Sequence, residues 1–281
     1  MEDITAITIS NYLEWVKSCH DVEYGPDNEF TCYQEHVYFR GQASTSWDLV
    51  PSLFRDEGRI HDEHKMLQMA GNMAWTELSD CRSDLEKLIK LQHYGLHTRL
   101  LDVTYNPLIA LYFACQNVTK NEDDNNGIVY CGYKDVADTK IAEVIAKYIF
   151  NYDTININQK ELNNLCKEKS VNECLLEDIH LLDPPLNNVR ISKQNGAFII
   201  APLLSRKAIQ PFQNAGNAYI RNELKTAFTG KCVIPQDNKT AILKELDYMG
   251  FNKASIFLDI SSKLEYINET EDRDWPTLDL S

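Results

Sequence analysis

The segment Tyr38–Gln42, which runs Tyr-Phe-Arg-Gly-Gln, constrains the fold more than any other part of the sequence. The residues that precede Arg40 are aromatic or β-branched and favour a buried strand. Gly41 then permits a turn or a close approach of another backbone segment. A guanidinium at the end of such a strand can hold a phosphate or a carboxylate through two parallel hydrogen bonds. Arg40 therefore has two interpretations, a ligand-binding arginine or one half of a structural ion pair.

Composition and charge exclude several classes of protein. The chain has 281 residues, of which 43% are hydrophobic and 25% charged, as in an ordinary soluble globular protein. The net charge of −14 opposes non-specific binding to nucleic acids. No apolar run reaches about 18 residues and the sequence begins Met-Glu-Asp, so we predict a cytoplasmic protein without a membrane span. The eight cysteines contain no C-x-x-C pair, which favours reduced thiols over disulfides or a zinc site.

The apolar periodicity predicts alternating helices and strands in a single domain over residues 1–281. A helical region is expected from about Glu63 to His93, and Asn106 with Pro107 is expected to begin another helix. A block at about 138–186 has a helical pattern and is interpreted as an elaboration laid over the core. Further predictions are strands at 127–133, 189–192, 196–204 and 231–234, and a last helix capped by Asp237 and ended by Gly250.

The densest group of polar residues lies at 91–104. Asp102 and Thr104 share one face of an expected strand, because side chains alternate with period two. Their position before a capped helix is typical of a ligand-facing strand end. The alternative is that Asp102 pairs with Arg99 or Arg40 only to hold a turn in place.

Several catalytic and metal-binding motifs are absent from the sequence. His93 and His97 have the i, i+4 spacing of a metal pair, but Gly95 separates them and no glutamate completes an H-E-x-x-H motif. The stretch 61–64 is interpreted as a solvated helix start, so no metal is predicted. There is no G-x-S-x-G elbow, P-loop or dinucleotide-binding glycine motif. Gln194, before the strand that begins at Gly196, could cap that strand or meet a ligand.

Four ordered segments resemble the FRG domain family. Residues 39–55 resemble its opening motif, 91–114 its central signature, 190–200 its third block, and 245–259 its closing helix and strand. The resemblance extends from Tyr38 to about Ile267, apart from the helical block. The family usually has proline where this chain has His97, and tryptophan where it has Val103.

The resemblance implies a layout similar to the ADP-ribosyltransferase fold. We therefore expect an α+β protein with a twisted, mostly antiparallel sheet in two packed halves and helices around it. Arg40 would hold the phosphates of NAD, Thr104 would support the nicotinamide ribose, and Gln194 would take the place of an acidic residue. An amide can bind a ribose hydroxyl but lacks the charge of a carboxylate, so Asp102 is the candidate for that charge.

The resemblance implies an ADP-ribosyltransferase-like enzyme that transfers ADP-ribose from NAD to a macromolecule, as a toxin or phage-defence effector with an antitoxin or other protein partner. NAD is expected as the substrate, without a metal. The candidate catalytic residues are Arg40, Asp102 and Gln194, and the candidate NAD-binding residues are Arg40, Gly41, Gln42, His93, Arg99 and Thr104.

Two other functions are open. A nucleotide- or phospho-ligand-binding signalling module without catalysis fits the amide of Gln194 better. A nuclease would need a carboxylate pair, for which Asp102 with Asp48 is the available choice, and the net charge opposes it.

Overall fold

The computed structural model describes residues 3–21, 36–117, 125–183, 194–203, 216–257 and 259–269. These residues form a mixed α+β structure, as predicted. The strands are β1 (Ile4–Thr5), β2 (His36–Gln42), β3 (Leu100–Thr104), β4 (Gly127–Lys134), β5 (His180–Leu182), β6 (Gly196–Ile200) and β7 (Phe228–Ile234). The helices are α1 (Ile9–Asp21), α2 (Glu57–His61), α3 (Glu63–Met73), α4 (Asp84–His93), α5 (Pro107–Ala114), α6 (Thr139–Asn151), α7 (Gln159–Lys169), α8 (Gly216–Ala227), α9 (Gln236–Tyr248), α10 (Lys253–Ile256) and α11 (Ile260–Glu269), with short 3-10 helices at Ser52–Arg55 and Glu173–Glu177.

The described strands form one sheet in the order β1-β7-β4-β2-β3-β6-β5. Every neighbouring pair is antiparallel except β1 and β7. Strand β2 pairs with β4 along its whole length, but with β3 only where Phe39 faces Thr104. The sheet is therefore one hydrogen-bonded sheet whose two halves meet at a weak β2–β3 junction.

Helices cover both faces of the sheet. Phe39 and Leu100 lie on the same face, because Phe39 pairs with Thr104 and alternate residues of β3 share a face. On this face α1, α5, α9 and α10 pack over the half with β2, while α3, α4, α6 and α7 pack over the half with β3. The opposite face carries a third core that includes α2, α8 and the first 3-10 helix. The β2–β3 junction thus lies between two separate groups of helices.

Several predicted elements are present, with local corrections. Asn106 caps α5 by accepting a hydrogen bond from the backbone N–H of Leu108 at 2.9 Å, with Pro107 as the first residue. The helical region predicted at 63–93 is divided into α3 and α4 by the turns at 74–83. Helix α9 begins at Gln236, and Asp237 lies in its first turn without capping it.

The block at about 138–186 contains more than helices. Besides α6 and α7 it includes β5, which adds an edge strand beside β6. This block therefore contributes to the sheet, which corrects its interpretation as a purely helical elaboration. The strand predicted at 189–192 lies outside the described residues. Among the residues that are described, no helix has both the length and the apolar character needed to cross a bilayer.

Candidate functional site

A cavity of about 290 Å³ opens at the β2–β3 junction, between the two groups of helices. Strands β2, β3 and β6 form one side of it, and α4 and α5 form the others. The lining residues are Phe39, Arg40, Gly41, Ile89, Gln92, His93, Asp102, Val103, Thr104, Ile109, Phe113, Gln194 and Phe198. Apolar walls with a few polar groups are typical of sites for small molecules.

Gly41 brings strand β2 and helix α5 together beside the cavity. A Cβ atom at this position would lie 1.8 Å from the carbonyl oxygen of Ala110 and 2.9 Å from the backbone nitrogen of Ala114. No side chain fits in that space, so the close contact between β2 and α5 requires glycine. The motif Arg40-Gly41 therefore places the arginine at a point where helix and sheet touch directly.

The side chain of Arg40 reaches from β2 to β3 and makes few hydrogen bonds to the described residues. Its Nη1 donates a hydrogen bond of 2.6 Å to the backbone carbonyl of Asp102, while its Nε is buried and has no partner in the described structure. Burial lowers the pKa of Arg40 to about 10, and the nearby Arg55 adds to this, whereas Asp102 and Tyr130 oppose it. The side chain is thus cationic at neutral pH and has hydrogen-bond donors to spare.

The carboxylate of Asp102 is exposed at the cavity and contacts an amide. Gln92 donates a hydrogen bond from Nε2 to Oδ1 of Asp102 at 3.0 Å. Neither Arg40 nor Arg99 donates to this carboxylate, because Arg40 binds the backbone carbonyl and Arg99 binds elsewhere. The interpretation of Asp102 as the carboxylate of an arginine pair is therefore corrected.

At the cavity, Thr104 links the end of β3 to the turn at Gln194 that precedes β6. The hydroxyl of Thr104 donates to the backbone carbonyl of Gln194 at 2.7 Å and accepts from the N–H of Asn106 at 3.0 Å. The side chain of Gln194 donates from Nε2 to the carbonyl of Ile256 at 3.3 Å. The hydroxyl of Thr104 therefore serves local structure. The side-chain oxygen Oε1 of Gln194 has no hydrogen-bond partner among the described residues and can accept one from a ligand.

Two predicted NAD-binding residues lie away from the cavity. Arg99 is 1% exposed and donates to both carboxylate oxygens of Glu63 and to the carbonyl of Pro202. Gln42 is 2% exposed and donates to the carbonyl of Asp48 at 3.4 Å. Both side chains are directed into the interior, so neither lines the site predicted for them.

His93 lines the cavity and packs edge-on against Tyr94, with ring centroids 5.3 Å apart. His97 is exposed and is not among the lining residues. The described residues contain no group of three or more histidine, cysteine or acidic side chains arranged to hold a metal ion.

Gln92 and Glu63 are not among the site residues that the sequence predicts. Gln92 lies next to His93 in the polar group at 91–104, but its contact with Asp102 depends on the packing of α4 against β3. Glu63 was interpreted as part of a solvated helix start, although it precedes Leu67 by four residues on the buried face of α3. A charged residue on an apolar helical stripe is a signal for a buried ion pair.

No curated protein and no solved structure matches this chain. Residues 35–123 match the family model of the FRG domain, which confirms the resemblance for the opening motif at 39–55 and the central signature at 91–114. The matched range includes β2, β3, α4 and α5, and it supplies eleven of the thirteen residues that line the cavity. Residues 35–123 are therefore similar to an FRG domain, and this part of the chain forms most of the candidate site.

Proposed function

We propose that the cavity binds NAD and that the protein transfers ADP-ribose from it to a macromolecule. One observation carries this proposal: three segments that are distant in sequence bring Arg40, Asp102 and Gln194 to a single cavity. The cavity thus combines a cation for phosphate, a carboxylate, and an amide with a free acceptor oxygen. The arginine is the group that the resemblance to ADP-ribosyltransferases places on the phosphates, and Asp102 supplies the carboxylate that Gln194 lacks.

The proposed roles follow from the charge of each group. Cleavage of the bond between ribose and nicotinamide builds positive charge on the ribose, which the carboxylate of Asp102 would stabilise. Arg40 would attract the phosphates, since its guanidinium is charged and has donors to spare. The aromatic rings of Phe39, Phe113 and Phe198 would supply an apolar wall for a flat ring.

The size of the cavity limits how NAD can lie in it. A volume of about 290 Å³ lies just below the usual range of roughly 300–1,000 Å³ for small-molecule sites. It suits one ring with its sugar rather than a complete dinucleotide. We therefore propose that the nicotinamide riboside half enters and that the adenosine half lies outside.

A nucleotide-binding signalling module without catalysis is the second candidate. The observation in its favour is Gln194, because a neutral amide occupies the position expected for an acidic side chain. In this alternative, Arg40 and the aromatic walls bind a nucleotide or phosphorylated ligand, and no bond is broken.

The two candidates are separated by measuring turnover and binding on the same samples. Protein is incubated with NAD labelled in the adenylate part and with cell extract, and both nicotinamide release and label transfer are followed. We expect Asp102→Asn and Arg40→Ala to lower the rate by about 100-fold or more, since each removes a charge that acts in the transition state. The control is Asp48→Asn, because this exposed carboxylate pairs with Arg221 and does not line the cavity.

Calorimetry with NAD and other nucleotides gives the complementary result. Binding without turnover favours the signalling module, and loss of that binding in Arg40→Ala assigns it to this cavity. The absence of both binding and turnover contradicts both candidates. Cleavage of added nucleic acid that requires a divalent metal and both Asp102 and Asp48 indicates the nuclease instead.

For the cellular role we propose a cytoplasmic toxin or phage-defence effector held in check by an antitoxin or another protein partner. Modification of an essential macromolecule would arrest growth, so expression of the wild-type chain should be toxic and Asp102→Asn should not. Equal growth of cells that express equal amounts of the two chains would contradict this role.

A further inference from the structure

A chain of hydrogen bonds leads from the protein interior to the carboxylate of Asp102. Thr98 is 1% exposed, and its hydroxyl accepts from the N–H of Leu100 at 3.2 Å and donates to Oε1 of Gln92. Gln92 then donates from Nε2 to Oδ1 of Asp102 at 3.0 Å. The chain therefore connects α4 to β3 and ends in the candidate site.

The order of donors along this chain determines how the amide of Gln92 is oriented. In the opposite orientation the carbonyl oxygen of Gln92 would face the carboxylate of Asp102, and both groups are acceptors. The hydroxyl proton of Thr98 satisfies the amide oxygen and leaves the amide N–H groups for Asp102. The carboxylate of Asp102 thus selects the amide orientation, and the hydroxyl of Thr98 supplies the donor that fits it.

Gln92 and Thr98, which form the inner hydrogen bond of this series, both lie in segments that are fixed by packing or by backbone hydrogen bonds. Gln92 lies in the last turn of α4, whose Leu88 and Leu91 are buried in the core. The backbone carbonyl of Thr98 accepts a hydrogen bond from the N–H of Leu53 at 3.2 Å. Both ends of the Thr98–Gln92 contact are therefore anchored, while the carboxylate of Asp102 is exposed.

We propose that Thr98 and Gln92 are positioning residues for Asp102. They hold Oδ1 of the carboxylate as an acceptor and leave Oδ2 to meet the ligand, which must present a hydrogen-bond donor or positive charge there. This inference rests on the proposed function in one respect, namely that Asp102 is the carboxylate that acts on the ligand. The contrasting account is that the chain only ties α4 to β3 and contributes to stability.

The first test detects the chain itself and needs no enzymatic activity. In ¹⁵N-labelled protein, the side-chain amide signal of Gln92 is identified by its loss in Gln92→Met. We expect this signal to move in Asp102→Ala and in Thr98→Val, and to keep its position in Thr98→Ser, which retains the hydroxyl. An unchanged signal in Asp102→Ala overturns the proposal, and this variant alters only an exposed side chain, so its fold should be retained.

The second test separates positioning from stability by kinetics. We expect Thr98→Val to lower kcat for NAD cleavage by about tenfold or more with little change in KM, and Thr98→Ser to restore most of the rate. In an Asp102→Asn background, Thr98→Val should cause no further loss, because the hydroxyl acts through that carboxylate. A full additional tenfold loss in that background overturns the positioning role.

The two tests fail independently. If the wild-type protein does not cleave NAD, the proposed function is wrong. The side-chain amide signal of Gln92 still decides whether the hydrogen bonds from Thr98 to Asp102 exist. If NAD is cleaved and Thr98→Val has the wild-type kcat, the function stands and the positioning role is wrong.

Discussion

The buried pair of Arg99 and Glu63 is the strongest constraint at the scale of single residues. Both side chains are 2% exposed, and the arginine donates to both carboxylate oxygens. Arg99 also donates to the carbonyl of Pro202 at 2.6 Å, and its guanidinium lies 6.0 Å from the ring centre of Phe54. Removal of the carboxylate would leave a charge in the interior without a counter-charge.

We predict that Glu63→Ala lowers the free energy of unfolding by about 3–5 kcal/mol, which is the usual cost of breaking a buried ion pair. Asp102→Ala should cost less, about 1 kcal/mol, since it removes an exposed carboxylate that accepts one hydrogen bond from Gln92 and offsets part of the effect of burial on Arg40. Urea denaturation followed by circular dichroism measures both values.

A matched control for this prediction is Asp48→Ala, which breaks the exposed pair between Asp48 and Arg221. Exposed pairs contribute about 0–1 kcal/mol, so its unfolding curve should lie close to that of the wild type. A larger loss in Asp102→Ala than in Glu63→Ala would show that the interior charge is balanced in another way.

These residues also show which part of the site could be predicted from sequence. The motif around Arg40, Asp102 and Thr104 was sufficient to select residues that do line one cavity. Arg99 was misassigned because its partner lies 36 positions earlier, and no local pattern connects Arg99 with Glu63. The direction of a side chain in the interior depends on such distant contacts.

At the scale of elements, the contact of β2 with α5 determines the shape of the cavity. Helix α5 is apolar on nearly all sides, and four of its buried residues pack beside β2 and β4. Gly41 and Gly127 permit this approach, since a Cβ on either would lie within about 2 Å of a carbonyl oxygen of α5. The position of α5, and with it of Ile109 and Phe113, depends on this contact.

We predict that Gly41→Ala is strongly destabilising and abolishes ligand binding. The new methyl group would meet the backbone of Ala110, which a helix cannot move aside without separating from the strand. The expected loss is at least about 3 kcal/mol, toward the upper end of the cost of overpacking. Differential scanning fluorimetry with and without nucleotide gives both readouts.

The control for this prediction is Gly71→Ala in α3, where an added Cβ has no heavy atom within 4 Å. Alanine is favoured over glycine within a helix by about 1 kcal/mol, so Gly71→Ala should raise stability slightly. A comparable loss of stability in the two variants would mean that the effect does not arise from the contact with α5.

Elements with strong local signals were predicted well from sequence. The cap at Asn106, the first-turn proline of α5 and the helix end at Gly250, which has a positive φ, all appear where expected. Strand β5 was missed because it has three residues and follows two helices, and its pairing with β6 supplies the evidence for a strand. Short edge strands depend on a neighbour that the local sequence does not reveal.

At the scale of the whole molecule, the sheet order explains why the site lies at the β2–β3 junction. A ladder of five or more pairs joins β2 to β4, β4 to β7 and β3 to β6, whereas one pair joins β2 to β3. The guanidinium of Arg40 bonds to a β3 carbonyl at that point. The resemblance of the sequence to a known family predicted a mostly antiparallel sheet, but the order of its strands follows from contacts between distant segments.

We predict that His180 in β5 makes the whole molecule less stable in acid. This side chain is buried, and its Nε2 lies 2.6 Å from the carbonyl of Leu175, to which it donates. Burial lowers the pKa of His180, the hydrogen bond to Leu175 and the charge of Asp178 oppose this, and Lys134 adds to it. The folded protein therefore binds a proton on this ring less readily than the unfolded chain does.

Because the pKa of His180 is lowered in the folded protein, the free energy of unfolding decreases in acid. As the pH falls below about 6.5, the unfolded chain takes up a proton at His180 while the folded state does not, so stability decreases. We predict that His180→Gln, whose amide can still donate to Leu175, flattens the loss of stability between pH 6.5 and 5. The pKa of His97 is also lowered, by partial burial and then by Arg59 and Arg55, but this ring is exposed and His97→Gln should change the profile less. Urea denaturation at half-unit pH steps measures all three profiles, and identical slopes for wild type and His180→Gln would show that the acid sensitivity arises elsewhere in the fold.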